Sequence, residues 1–449
     1  MNAHQPGSNK KFRKLGKLPL AAVIFFTVSG GPYGIEPLLG YAGSWALPLL
    51  IIIPLLWDIP SILTVLELNS MMPVEGGYYQ WVKRGLGLRW AFYEGWWTWL
   101  YTFVDLAIYP VFLVEYAAFF FPGIHAYKIP IYIAIIWINA GLNIRGIVPV
   151  GKSALILSAL VIIPFLLLFF AGIIHPVLTP ATKLSAPTGF TPFSMALYTI
   201  MWNYIGWDNA TTYAGEVDRP GKSYLFSILL AFSTIYLIYI AVTWLALHSG
   251  IPGTVLTDKG IPFLGAVVGG RWLGALLSIG GMASMLGIFI AVLLSVSRVP
   301  TVMGKDRLLP NLFTRLHSKY QTPYISIIVC AIVVSFLVLW PLSDLLVIDI
   351  SLYAAGISLE FIALIFLRKK EARTPRPFKI PLQKKGLILL FIPPSLIFAI
   401  ALGGALLGSG QAAKPALFAI AAILSAHIAW IIVSKRRNFS AHHKTNTDW

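Results

Sequence analysis

Four carboxylates, Glu36, Asp105, Asp208 and Glu360, lie inside long apolar stretches where water is scarce. An ionisable side chain at such depth is costly, so it counts as a functional candidate by default. Two of them follow runs that break a helix: Ser29-Gly30-Gly31-Pro32-Tyr33-Gly34 precedes Glu36, and Trp202-Asn203-Tyr204-Ile205-Gly206-Trp207 precedes Asp208 and Asn209. The second halves of such broken helices start with dipoles that favour anions. Acids placed there offset those dipoles and leave a space better suited to cations. Aromatic residues gather at the same points: Tyr33, Trp202, Tyr204 and Trp207, with Tyr109 one turn after Asp105. Rings around an ammonium group contribute cation–π attraction of ~2 kcal/mol when desolvated. Asn203 adds a neutral donor and acceptor, suited equally to a ligand or to the unwound backbone. Each feature also has a plain structural use: Asp208 and Asn209 as N-caps, Glu36 as a hydrogen-bond partner of a neighbouring helix, most of the 15 Trp and 19 Tyr as belt and packing residues.

The elements that hold these residues are apolar helices. Of the 449 residues 57% are hydrophobic and 11% charged, with mean hydropathy +0.78, so lipid must solvate most of the chain. Spans are expected at about 18–39, 44–69, 88–121, 128–144, 153–174, 192–216, 223–248, 272–297, 323–341, 344–367, 387–407 and 415–433. No period-two alternation marks barrel strands. Lys and Arg decide the orientation. The side holding both termini collects 29 of the 34, leaving Lys128, Lys183, Lys259, Arg271 and Lys414 opposite. Both termini are therefore expected in the cytoplasm, and the net charge of +17 reflects loops rather than nucleic-acid binding. The single cysteine, Cys330, excludes an intramolecular disulfide.

Backbone freed inside a membrane must be satisfied by protein or a wet cavity. Matched breaks in spans 1 and 6, which cross in opposite directions, point to a midplane site between two inverted halves. The organisation reads as a tail 1–17, repeats 18–174 and 192–367, two further helices over 387–433 and a tail 434–449. Asp105 and Glu115 in span 3 and Glu360 in span 10 add acids at membrane depth, while Asp58, Glu67 and Glu94 suit span ends or helix contacts.

The chain resembles the amino acid, polyamine and organocation superfamily, and within it the branch of plant and protozoan polyamine uptake transporters and their bacterial relatives. The matching stretches run in order: Val28-Ser29-Gly30-Gly31-Pro32-Tyr33-Gly34-Ile35-Glu36, Pro73-Val74-Glu75-Gly76-Gly77-Tyr78-Tyr79-Gln80-Trp81-Val82, Ile108-Tyr109-Pro110-Val111, Leu142-Asn143-Ile144-Arg145-Gly146, Trp202-Asn203-Tyr204 with Trp207-Asp208-Asn209, Ala214-Gly215-Glu216-Val217, Arg307-Leu308-Leu309-Pro310, Leu359-Glu360-Phe361-Ile362-Ala363 and Arg376-Pro377-Phe378-Lys379-Ile380-Pro381. The resemblance implies an all-α membrane protein of about twelve helices, with two inverted five-helix repeats, broken helices 1 and 6 and two C-terminal helices. It also implies alternating access driven by a proton or sodium gradient.

Import of polyamines or related organic cations across a plasma membrane is the expected function. The alternative is an amino acid permease, with the substrate amine at Glu36 or Asp208 and its carboxylate at the amides of Gly30 and Gly31. In many relatives a span 5 lysine takes part in proton coupling. Here the equivalent is Val161 or a neighbour, and 153–174 contains no lysine. A buried acid then becomes the proton carrier, with Glu36, Asp105 and Glu360 as candidates. A sodium site would fall near Ser295 and Ser297, whose hydroxyls also suit helix carbonyls. Glu216, with Asp218 and Arg219, suits an inner gate or an ordinary solvated end. No metal or cofactor is implied and no enzyme constellation stands among the eight histidines. A channel would use repeated pore rings. A single chain can complete its own site, so a functional monomer is expected, embedded in lipid and binding a small amine or amino acid.

Overall fold

The computed structural model describes residues 15–146, 152–174, 189–408 and 413–445. The first break separates α1 (Lys17–Val28) from α2 (Glu36–Ala42), and α3 (Ala46–Met71) returns across the bilayer. A short helix α4 (Gly77–Leu86) leads into α5 (Leu88–Ala117), α6 (Lys128–Ile144) and α7 (Lys152–Ile174). The second half opens with α8 (Phe190–Trp202), a break, and a 3-10 helix Asn209–Glu216. It continues through α9 (Pro220–His248), α10 (Gly253–Gly269), α11 (Arg271–Val296), α12 (Arg298–Lys305), α13 (Tyr324–Leu337) and α14 (Leu342–Lys370). Two helices follow, α15 (Lys384–Leu406) and α16 (Ala413–Thr445). Among the described residues the only β-pairing is an isolated bridge between Leu15 and Val217.

The protein is an all-α membrane protein. Nine described helices are long and apolar enough to cross a membrane. α13, the α1–α2 pair and α8 with its 3-10 continuation make up the remaining three spans expected from sequence. Packing follows an exchange of five spans. α1 rests on α7 and α9 where α8 rests on α14 and α3; α5 meets α14 where α11 meets α7; α5 meets α13 where α11 meets α6. Even the short helices obey it: α4 touches α5, α14 and the 3-10 helix, whereas α10 touches α11, α7 and α2. Such paired neighbours are what two inverted halves require.

Several details depart from the sequence reading. α4, α10 and α12 were expected as connections. α10 bends at Gly260, whose φ of 71° is a left-handed conformation open to glycine at little cost. α16 continues past 433 to Thr445, carrying Lys435 and Arg436 out of the apolar span. Glu115 sits near the end of α5, 44% exposed, with its carboxylate 3.8 Å from His125, unlike the buried Asp105 and Glu360. The segment 175–188 and the tail 1–14 lie outside the described residues.

One polar knot sits at the basic end of the bundle. Arg368 of α14 grips the buried Glu67 carboxylate of α3 with Nε (2.7 Å) and Nη2 (2.5 Å), and Arg376 approaches it at 3.4 Å. The Ile380 amide also donates to Glu67 (2.9 Å), so the linker between α14 and α15 is pinned under α3. Nearby, Arg84 of α4 makes a forked pair with Glu371 and holds that carboxyl below the usual glutamate range.

Candidate functional site

The two breaks meet at the centre of the bundle. Gly30, Gly31 and Gly34 adopt φ of 61°, 103° and 84°, which a side chain would resist. Carbonyls that α1 and α2 cannot pair internally are taken by side chains from elsewhere. Ser284 of α11 donates to Gly30 O (2.6 Å), and Asn203 Nδ2 donates to Gly34 O (3.2 Å). The Tyr239 hydroxyl of α9 lies 2.8 Å from Gly31 O and 2.7 Å from Asn203 Oδ1, tying one break to the other. Asn203 therefore holds unwound backbone. A Cβ added at Gly206 would lie 2.6 Å from Thr27 O, so glycine allows α1 and the second break to touch.

A narrow, nearly closed cavity of about 10 Å³, room for roughly one water, lies beside these breaks; Tyr101, Asp105, Tyr109, Trp202, Asn203 and Asn209 contribute to its wall. Asp105 is its charged centre. Its Oδ2 accepts from Tyr109 (2.6 Å) and its Oδ1 from Trp202 Nε1 (3.1 Å). Trp202 stacks on Phe112 with ring centres 5.7 Å apart, which fixes the indole toward the acid. No lysine, arginine or histidine is among the lining residues. The site therefore presents a carboxylate, three aromatic side chains and amide dipoles, a set that suits an alkylammonium group.

The other expected residues fall in different places. Glu36 begins α2 but does not line the cavity: its Oε1 accepts from Tyr116 (3.1 Å) and from the Ile261 amide at the bend of α10 (3.2 Å). Tyr33 donates to Leu277 O (2.7 Å) and packs between Tyr116 and Phe165, also away from the cavity. Tyr204 lies against Tyr239 with its hydroxyl unpaired. Trp207 is fully buried, donates to Asp58 (3.3 Å) and rests on Phe232. Asp208 precedes the 3-10 helix but makes no side-chain cap; it accepts from Tyr353 (3.3 Å) and lies near Glu94 and Glu360. Ser295 and Ser297 bond to Ala291 O and Leu294 O of their own helix. The serine of α11 whose hydroxyl does face the first break is Ser284. The Glu216 side chain lies outside the described residues.

Val161 of α7, at the position where relatives were expected to carry a lysine, lies against the first break: a Cβ on Gly31 would lie 2.8 Å from Val161 Cγ1. Among the described residues no group of acids, histidines and cysteines could hold a metal.

Sequence reasoning missed Asp349, Tyr239 and Ser284. Asp349 of α14 is fully buried beside Asp105, with neither oxygen hydrogen-bonded. Its signal was present: Asp349 and Glu360 are 11 residues apart, as are Glu94 and Asp105 on α5. Eleven residues return a helix to nearly the same face about 16 Å further along. The two antiparallel helices thus face each other across an upper pair, Asp105 with Asp349, and a lower pair, Glu94 with Glu360.

The sequence model of a family described as amino acid permease matches residues 15–425. The chain belongs to that family. It is 35% identical over 404 residues to a probable polyamine transporter of Arabidopsis thaliana, covering 88% of this chain and 84% of the relative. It is 32% identical over 440 residues to polyamine transporter PUT1 of Oryza sativa subsp. japonica, covering 95% and 80%. A more distant relative is the branched-chain amino acid permease BcaP of Bacillus subtilis, 26% identical over 345 residues, covering 71% and 73%. This permease is a multi-pass membrane transporter for a small amine or amino acid, and not an enzyme.

Proposed function

We propose that this permease imports polyamines or related organic cations across the plasma membrane by alternating access, drawing on an inward proton gradient, with both termini in the cytoplasm and one chain sufficient. The observation that carries the reading is Asp105: a buried carboxylate in the cavity between two broken helices, backed by Tyr109 and Trp202 and unopposed by any lining base. The relatives named as polyamine transporters support the same class of cargo. No cofactor enters the cycle, and the neutral Val161 favours a carboxyl group as the proton carrier.

The amino acid reading has its support in the family's description and in the branched-chain relative. It requires free amides for a carboxylate. The Gly30 amide is bonded to Phe25 O (2.8 Å) and the Gly31 amide to Ser29 Oγ (3.2 Å), which weakens that reading. The deciding experiment measures labelled putrescine and spermidine accumulation in proteoliposomes, with and without an inward proton gradient. Gradient-dependent uptake in the wild type, reduced at least tenfold by Asp105→Asn, is expected. Counterflow driven by amino acids alone would replace the amine reading.

A further inference from the structure

Below the amine cavity lies a second acidic centre. Glu94 of α5, Asp208 after the second break and Glu360 of α14 are each no more than 2% exposed, and their charges act on one another. Tyr78 of α4 closes the group. Its hydroxyl is buried without a hydrogen-bond partner and lies within electrostatic reach of all three acids. Glu94 Oε2 and Glu360 Oε2 are also unpaired. The remaining polar neighbours are Thr98, at 3.4 Å from Glu94, Tyr353, at 3.3 Å from Asp208, and Tyr101, whose hydroxyl bonds Asn209. Asp58 reaches Tyr353 from α3, and Asp105 reaches Tyr101 from one turn further along α5. Among the described residues no basic group acts on Glu94, Asp208 or Glu360.

Three carboxylates cannot all stay ionised in a dry interior without compensation. A metal or an ammonium group would need room, yet packing is close: a Cβ on Gly356 would lie 3.2 Å from Glu94 Oε1. The occupant that needs no cavity is a proton.

We propose that Glu94, Asp208 and Glu360, with Tyr78 as a hydroxyl partner, form the site that carries the coupling proton, separate from the Asp105 cavity that holds the amine. A proton from outside adds to a carboxylate oxygen of this centre and leaves to the cytoplasm after the carrier has rocked. Only an O–H bond forms and breaks. Asp208 follows the second break directly, so movement of that unwound segment exposes the centre to one side or the other, and Tyr101 stands between it and Asp105. The assignment rests on the proton-driven reading above and names its site.

The test separates proton-driven accumulation from counterflow, in which labelled spermidine exchanges for internal spermidine without net proton movement. Glu94→Gln, Glu360→Gln and Tyr78→Phe are compared with wild type in proteoliposomes containing a pH-sensitive dye. The two Gln variants are expected to keep counterflow within about twofold, while proton-driven accumulation and spermidine-coupled acidification both fall at least tenfold. Tyr78→Phe, which keeps the ring packing, should shift the external pH giving half-maximal accumulation without abolishing it. Retained acidification in both Gln variants overturns the proposal. So does loss of counterflow equal to the loss of accumulation, with protein still monodisperse, because that places the acids in amine binding or packing. A wild type with no amine counterflow instead overturns the amine reading. The same variants are then assayed for acidification with whichever amino acid the wild type exchanges, so the two failures remain distinct.

Discussion

Asp105 is held by two donors of unequal quality, and that difference is measurable. Tyr109 donates at 2.6 Å and Trp202 at 3.1 Å. A hydrogen bond to a charged group is worth ~1.5–3 kcal/mol, so losing the shorter one should be felt first. Tyr109→Phe is expected to raise the KM for spermidine by roughly tenfold or more. Trp202→Phe keeps the stack on Phe112 and should raise it less; initial-rate uptake kinetics on both variants give the order. The same scale shows where sequence reading stops. Acids in apolar runs stand out, and so Asp105, Asp208 and Glu360 were visible. Glu36 was visible for the same reason and Tyr33 as an aromatic residue at the first break, yet their partners turn them toward α10 and α11 rather than the cavity. Side-chain direction at a broken helix depends on backbone that departs from helical period, so spacing cannot supply it.

Among the elements, membrane spans were legible because lipid imposes one composition over some twenty residues. α4, α10 and α12 were not, because they lie against other helices instead of across lipid. α4 carries Gln80, Lys83 and Arg84, and α10 carries Asp258, Lys259 and a glycine bend, so neither gives an apolar window. The linker after α14 was also opaque: nothing in its composition announces that Glu67, 301 residues before Arg368, receives it. That knot predicts non-additive stability. Removing one partner of a buried ion pair costs ~3–5 kcal/mol, since the other charge is left uncompensated. Glu67→Gln should therefore lower the unfolding temperature in detergent markedly. Combining it with Arg368→Met should recover part of the loss, and a thermal-shift double-mutant cycle checks this.

Over the whole molecule, the exchange of neighbours between the two halves places α4 and α10 in matching roles at opposite ends. Each short helix touches the broken segment of one half: α4 reaches the 3-10 helix, and α10 reaches α2 through Glu36 and Thr257. Rocking of either broken helix must then carry its short helix along. Spin labels on α4 and α10 are expected to change separation from the α13 core in opposite senses when spermidine is added, as measured by double electron resonance. Changes of the same sign would contradict a symmetric rocking cycle.

Val161 at the first break has an electrical consequence. With no fixed cation beside the cavity and the proton released inside before the empty carrier returns, the charge carried inward over a full cycle is that of the cargo and its proton. Across an inside-negative membrane each elementary charge gains about 2.3 kcal/mol per 100 mV. A trivalent amine would then be drawn chiefly by voltage, with the pH difference the smaller part. At equal pH on both sides, a potassium diffusion potential alone should concentrate spermidine in vesicles and generate an inward current that scales with the valence of the amine supplied.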